Sequence, residues 1–165
     1  MKLLPILAVL AAFGVAACSD DEAPPPAAET NTSSGAQAGG PAPNTIEYFN
    51  QVVGDRVFFA TDQHTLDPQA RDTLDRQARW LASNPGTNLT IEGHADERGT
   101  RQYNLALGAR RSNSVRRYLI GQGVDGNRLR AVTFGKERPA ALCSDEGCWS
   151  QNRRGVSIVA GAPSS

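Results

Sequence analysis

The sequence predicts an α/β sandwich with two main helices packed on a four-stranded sheet, in the order β-α-β-α-β, short helix, β. Three observations predict it. Segments of strand character recur along the chain, two longer segments place apolar residues at helical spacing, and the two kinds alternate. That alternation is typical of a sheet covered by crossover helices. The predicted strands are residues 56–60, 88–94, 129–135 and 156–159.

The first strand, RVFFA, is almost continuously apolar, which predicts a strand buried on both faces. The first long helix begins at Asp67-Pro68, an N-cap acid followed by proline at the first helical position. It ends at Asn84-Pro85-Gly86. NLTIEGH (88–94) then alternates apolar and polar residues, which predicts the second strand.

The second long helix is predicted from about Arg101 to Gln122, and LRAVTFG is predicted to form the third strand. The glycines of GQGVDG (121–126) match the spacing of a dinucleotide-binding loop. Such a loop follows a strand and opens a helix. Here the order is reversed, so these glycines are predicted to be cap and turn residues. SQNRRGVSIVA predicts a short helical turn and a final strand near Val156–Val159.

The N-terminal part of the chain has the composition of an export signal and a tether. Residues 1–17 contain Lys2 and an apolar run shorter than the ~20 residues that span a membrane, which predicts a signal peptide. VAAC (15–18) resembles the lipobox of bacterial lipoproteins, which predicts lipid on Cys18; an ordinary signal cleaved near Ala17 is the alternative. Residues 18–43 contain almost no bulky apolar residue, which predicts a disordered tether.

The remaining residues, 44–165, are predicted to form one domain. With Lys2 and four N-terminal acids removed, 16 bases and 13 acids remain, so the domain carries about three positive charges, too few to indicate nucleic-acid binding. Cys143 and Cys148 lie five positions apart, which predicts a local disulfide in an oxidising compartment. A metal site is the weaker alternative because no second ligand pair is present.

Arg111 occupies a position on the apolar stripe of the second long helix, between Leu107 and Val115. A buried arginine needs a partner, and Asp96 lies in the loop just upstream. Two interpretations follow. Arg111 and Asp96 form an internal ion pair, or they face one cleft and bind opposite charges of a zwitterionic ligand. Loops that follow strands in α/β sheets commonly bind ligands, which favours the cleft.

His94 and Asp96 raise the alternative of a hydrolase with a metal or an acid/base pair. A catalytic metal usually needs three protein ligands, and the chain has only two histidines, His64 and His94. The sequence also lacks the HExxH and GxSxG motifs. It therefore predicts no catalytic residues, no metal and no cofactor, and His94 is expected to shape the loop.

Four segments resemble the OmpA-like peptidoglycan-binding domain family, in the lipid-anchored form of the peptidoglycan-associated lipoproteins. They are EGHADERGT (92–100), YNLALGARRSNSV (103–115), FGKERP (134–139) and NRRGVSI (152–158). The resemblance implies a non-enzymatic domain that binds the diaminopimelate residue of the peptidoglycan stem peptide. It also implies that the lipid on Cys18 anchors the chain in the outer membrane, with the domain in the periplasm.

The resemblance also implies roles for individual residues. Asp96 is expected to receive the ligand's ammonium group and Arg111 its carboxylate. Asp62 is expected to line the same pocket, with Thr100, Asn104 and Leu107 completing its wall. Arg153 and Arg154 are expected to support the site rather than contact the ligand. The implied partners are peptidoglycan and the Tol-Pal system, with TolB competing for the same face, in outer-membrane integrity and in constriction during cell division.

Overall fold

The computed structural model describes residues 40–160, and the predicted signal peptide, Cys18 and the tether up to residue 39 lie outside them. In chain order the elements are α1 (Ile46–Tyr48), a π-helical turn (Phe49–Gly54), β1 (Arg56–Phe58), α2 (Pro68–Ser83), β2 (Leu89–His94), α3 (Arg101–Gly121), a 3-10 turn (Gly126–Arg128), β3 (Leu129–Gly135), α4 (Glu146–Asn152) and β4 (Arg154–Val159). The predicted order of strands and helices is confirmed. No element had been predicted for residues 44–55, which form the first two of these elements.

The four strands form one mixed sheet in the order β1-β4-β2-β3. β2 and β3 are parallel, as expected for two strands joined by a crossover helix, whereas β4 pairs antiparallel with both β1 and β2. The prediction that the first strand is buried on both faces is wrong. β1 lies at the edge of the sheet, and Phe58 is 46% exposed. An apolar run indicates a strand, but the position of that strand in the sheet depends on distant pairing.

Both long helices begin at side-chain caps. Asp67 accepts a hydrogen bond from the backbone N–H of Ala70 at 2.7 Å, as the Asp-Pro signal predicts. Thr100 caps α3 by accepting from the N–H of Tyr103 at 3.2 Å. The glycines of GQGVDG end α3 and precede β3, as predicted. Among the described residues, the structure contains no helix with both the length and the apolar character needed to cross a bilayer.

The core lies between the helices and one face of the sheet. It includes Phe49, Val57, Leu74, Leu81, Leu89, Ile91, Val115 and Leu119. Phe49 packs on Trp80 with ring centroids 4.8 Å apart, which joins the N-terminal turn to α2.

Two glycines let α3 lie unusually close to β2. A Cβ atom at Gly93 would be 1.8 Å from the carbonyl oxygen of Gly108, and one at Gly108 would be 2.6 Å from the oxygen of Gly93. Neither position has room for a larger residue. This contact fixes the start of α3 beside the loop that follows β2, where the predicted site residues lie.

The short helix begins earlier than predicted. α4 starts at Glu146, inside the loop between the two cysteines, and its first turn is capped by the side chain of Asp145. Cys143 and Cys148 are joined by a disulfide, with Cα atoms 5.5 Å apart. Because their sulfurs are bonded to each other, neither is available as a thiolate for a metal.

Candidate functional site

A cavity of about 330 Å³ opens between the loop after β1, the loop after β2 and the first turns of α3. Its lining combines acids, a cation, polar groups and one apolar side chain. The lining residues are Thr61, Asp62, Asp96, Arg98, Gly99, Tyr103, Asn104 and Leu107. Four of the six predicted binding residues, Asp62, Asp96, Asn104 and Leu107, therefore meet in one place.

Asp96 is only 7% exposed, and its carboxylate is held by two arginines. Arg98 donates to it from its backbone N–H at 3.2 Å and from Nη2 at 2.6 Å. Arg153 donates from Nη1 at 3.4 Å. Burial by itself raises the pKa of Asp96, but the hydrogen bonds from Arg98 and Arg153 outweigh it and lower that pKa below its usual value. Asp96 is therefore ionised at neutral pH.

Asp62 is exposed at the cavity and has a left-handed backbone conformation, with φ of 59°. Its side chain accepts a hydrogen bond from the phenol of Tyr103. A non-glycine residue with positive φ is uncommon and often lies at a functional site. In contrast to Asp96, Asp62 has no arginine within ion-pair distance among residues 40–160, so more of its capacity to accept hydrogen bonds is open to a ligand.

Arg111 is not among the residues that line the cavity, and the internal Arg111–Asp96 ion pair of the first interpretation does not form. The side chain is fully buried and forms no ion pair with Asp96. Its guanidinium donates from Nε to the carbonyl oxygen of Gln63 at 2.8 Å, from Nη1 to that of His94 at 2.8 Å and from Nη2 to that of Ala60 at 3.2 Å. Arg111 thus joins the loop after β1 to the end of β2.

Burial lowers the pKa of Arg111 to about 10, and the nearby charges of Asp96 and Asp62 oppose that shift. The side chain is therefore protonated at neutral pH, and its positive charge acts on both acids of the cavity. A guanidinium has five N–H donors, and the three carbonyl bonds use three of them.

The other predicted residues divide into two groups. Asn104 is buried, and its amide donates to the carbonyl oxygen of Arg98 at 2.8 Å, which fixes the loop after β2 against α3. Leu107 supplies the apolar wall. Thr100 does not line the cavity; it is exposed and caps α3.

Sequence reasoning missed Arg98 and Tyr103, both of which line the cavity. Arg98 lies between the carboxylate of Asp96 and the indole of Trp149, whose ring centroid is 4.2 Å from the guanidinium carbon. The position of Arg98 two residues after Asp96 was a signal for the ion pair. Its stacking on Trp149, 51 residues later in the chain, had no local signal.

His94 does not line the cavity. Its Nε2 lies 3.2 Å from a carboxylate oxygen of Glu92, and its ring stacks on Phe134 with centroids 5.6 Å apart. Burial and the nearby Arg154 and Arg138 lower the pKa of His94 to about 3. The imidazole is therefore neutral at physiological pH, in keeping with the expectation that it shapes this part of the fold.

A second cavity, of about 380 Å³, lies beside the N-terminal turn and α2. Its lining contains Arg76, Arg79 and Trp80 but no acid. The cavity at Asp62 and Asp96 instead places two acids and an arginine around a ligand-sized space, so it suits a ligand that carries both an ammonium and a carboxylate group.

The chain is similar to known proteins in both sequence and fold. A model of the OmpA family matches residues 58–153. A protein from Rhizobium meliloti named peptidoglycan-associated lipoprotein is 55% identical over 130 residues, which cover 79% of this chain and 74% of that protein. A protein of the same name from Mesorhizobium japonicum is 44% identical over 159 residues, covering 96% and 93%. The crystal structure of the peptidoglycan-associated lipoprotein from Burkholderia pseudomallei superposes with a TM-score of 0.66 at 38% identity, covering 72% of this chain and 99% of that one.

Proposed function

The chain belongs to the OmpA family and, within it, to the peptidoglycan-associated lipoproteins, and we propose that it binds the stem peptide of peptidoglycan without covalent chemistry. It is a binding protein rather than an enzyme. The single observation that carries the proposal is the cavity that places Asp62 and Asp96 together with Arg98 around one concave space. Diaminopimelate, with an ammonium and a carboxylate on the same side chain, has the charges that this lining complements.

The ammonium group of diaminopimelate is received by the acids of the cavity. Asp62 offers the more accessible carboxylate, whereas Asp96 is already bonded to Arg98 and Arg153. An incoming ammonium therefore shares Asp96 with these arginines or displaces Arg98 toward Trp149. Charge-assisted hydrogen bonds to both acids give the site its preference for this ligand.

The carboxylate of diaminopimelate is received on the basic side of the cavity. Arg98 lines the cavity directly. Arg111 is buried behind the cavity lining, and two of its N–H groups are not used by its three carbonyl acceptors. Because its side chain is fully buried, Arg111 acts on the ligand through its positive charge. Asn104 and Leu107 form the wall between the two charged regions, and Thr100 fixes the start of α3.

The experiment is co-sedimentation of the purified chain with peptidoglycan sacculi. Wild type is expected to sediment without releasing soluble fragments. Asp62→Asn and Asp96→Asn should each weaken binding about tenfold or more, because each removes a charge-assisted contact. Asp72→Asn, which alters an exposed acid on α2, is the matched control and should bind as wild type. Equal binding by all four proteins would disprove the site, and release of soluble fragments would indicate an envelope hydrolase instead.

We also propose that lipid on Cys18 anchors the chain in the outer membrane and that residues 18–43 let the domain reach the cell wall. The polymer presents many copies of the stem peptide, so a modest single-site affinity becomes firm attachment once the chain is tethered. Cys18→Ala should leave the protein soluble in the periplasm after cell fractionation. Persistent membrane association of that variant would show that Cys18 is not the lipid site.

Family membership further leads us to propose a role in the Tol-Pal system, in envelope integrity and in outer-membrane constriction during division. TolB is the proposed protein partner, on the face that carries the cavity. If so, stem-peptide fragments should compete with TolB for the purified chain, and Asp62→Asn should weaken both interactions. Simultaneous binding of both at saturating fragment concentration would place TolB on another face.

A further inference from the structure

A third cavity, of about 300 Å³, lies on the face of the sheet that points away from α3. Gly93 and Gly155 face the helices, so their neighbours along each strand face the opposite side. The register places Arg56, Val156 and Glu92 in one row across three strands. The lining residues are Arg56, Glu92, Pro139, Ala140, Arg154, Val156 and Ile158.

Arg154 is the unusual side chain in this cavity. It is only 9% exposed, yet its one side-chain hydrogen bond within the described residues is a long contact of 3.3 Å from Nη2 to the carbonyl oxygen of Arg138. Its Nη1 is buried with no hydrogen-bond partner among the described residues. It also has no carboxylate within 4.0 Å in the described part of the chain.

Two other buried arginines show what this environment normally supplies. Arg111 donates to three carbonyl oxygens at 2.8 to 3.2 Å. Arg153 donates to the carbonyl oxygen of Phe59 at 3.0 Å and to the carboxylates of Asp96 and Glu146. A buried guanidinium with most of its donors unused is costly. Arg154 therefore needs a hydrogen-bond acceptor that the fold does not provide.

The acids near Arg154 are already engaged. Asp55 accepts two hydrogen bonds from Arg56, at 2.9 and 2.8 Å. Glu92 lies 3.2 Å from Nε2 of His94 and 3.9 Å from Nη1 of Arg138. The charged groups around the cavity are therefore three arginines and two carboxylates, which leaves one positive charge in excess. They are Arg56, Arg138, Arg154, Asp55 and Glu92.

We propose that this cavity is a binding site for a small carboxylate, held by Arg154 and Arg56. The two oxygens of a carboxylate match the paired N–H groups of a guanidinium, and Arg154 has such donors unused. Val156, Ile158 and Pro139 line the same space, so a short apolar group attached to the carboxylate has a surface to contact. The site lies on the opposite face of the sheet from α3 and does not depend on the proposed binding of peptidoglycan.

The side-chain Nε–Hε signals of the arginines test the proposal directly. The purified full chain is titrated with sodium propionate at constant ionic strength, with sodium chloride and sodium phosphate as parallel titrants. The signals of Arg154 and Arg56 and the methyl signals of Val156 and Ile158 should shift together and saturate with propionate, at millimolar concentrations. Chloride and phosphate should give smaller, non-saturating shifts.

Three variants sharpen the result. Arg56→Gln should weaken propionate binding about tenfold, since it removes one of two charged contacts. Glu92→Gln keeps the side-chain shape but removes a negative charge from the cavity, so it should strengthen binding several-fold. Arg79→Gln, an exposed arginine on α2, is the matched control and should leave binding unchanged.

The wild-type titration decides the question even if a variant folds poorly. Non-saturating propionate shifts, equal shifts with chloride, or a response centred on Arg98 and Asp96 would each overturn the proposal. Sacculus binding by Arg56→Gln should equal that of wild type, so failure here and failure of the proposed function are separate results.

Discussion

Replacing Arg111 by leucine is the substitution whose consequence the structure predicts most sharply. Leucine suits the apolar stripe formed by Leu107 and Val115, and the sequence alone predicts that the change removes a charge without leaving a polar gap. The structure reverses that expectation. The carbonyl oxygens of Ala60, Gln63 and His94 all lose their donor.

The size of the effect follows from these bonds. A hydrogen bond from a charged donor stabilises a fold by about 1.5 to 3 kcal/mol, so three sum to roughly 5 to 9 kcal/mol. Burying a leucine side chain offsets roughly 2 to 3 kcal/mol of that loss. The free energy of unfolding should therefore fall by about 2 to 7 kcal/mol. That is a large part of the stability of an ordinary domain.

The assay is urea unfolding of the purified chain, followed by circular dichroism at neutral pH. Arg110→Leu is the matched control, because the neighbouring arginine is exposed and the substitution is the same. It should change the free energy of unfolding by less than about 0.5 kcal/mol. Arg111→Lys keeps the charge but cannot reach three carbonyls, so it should lie between wild type and leucine. A loss of less than about 1 kcal/mol in Arg111→Leu would refute the reasoning.

Three further predictions concern the rest of the domain. Gly93→Ala should destabilise the fold by several kcal/mol, because the new Cβ would lie 1.8 Å from the oxygen of Gly108, whereas Gly86→Ala meets nothing within 4 Å and should melt as wild type. The pKa of His94 is about 3 in the fold and about 6.5 for an unperturbed imidazole, so the unfolded chain takes up the proton first as pH falls; the free energy of unfolding should drop by about 1.4 kcal/mol per pH unit from pH 6.5 toward 3. His94→Gln should remove that slope in urea unfolding between pH 7 and 4, and an unchanged slope would assign it to other groups. Reduction of the Cys143–Cys148 disulfide should lower the free energy of unfolding by about 2 kcal/mol in the chain-entropy model, and two reactive thiols from this pair in the denatured, unreduced chain would show that it does not form.

The helices could be predicted from the sequence because their signals are local. The Asp67-Pro68 cap, the apolar spacing of α2 and α3 and the glycines after α3 each act within a few residues. β3 was predicted with its observed bounds, Leu129–Gly135, for the same reason. The position of a strand within the sheet is not local, and the burial predicted for β1 was therefore wrong.

The candidate site shows the same division. Asp96 could be named from the sequence because it follows a strand, and Asp62 through the family resemblance; the structure places both at one cavity. The partners of Arg111 could not be named, since Ala60 and Gln63 lie 51 and 48 residues away along the chain. The contacts of Arg98 with Trp149 and of Arg153 with Asp96 also join residues that lie far apart along the chain. The predicted roles of the six binding residues stay predictions until a ligand is tested.

The sequence by itself determined the two long helices, the strands, their order and the loop that contains Asp96, because caps, turns and apolar periodicity depend on neighbouring residues. Only the tertiary structure decided which groups each buried charge meets. A guanidinium or carboxylate inside the fold takes whatever partner the packing brings within about 3 Å, and the close contact of Gly93 with Gly108 sets that packing for the start of α3. The tertiary packing gave Arg111 three carbonyl oxygens and Asp96 two arginines, and it left the side chain of Arg154 with one long hydrogen bond.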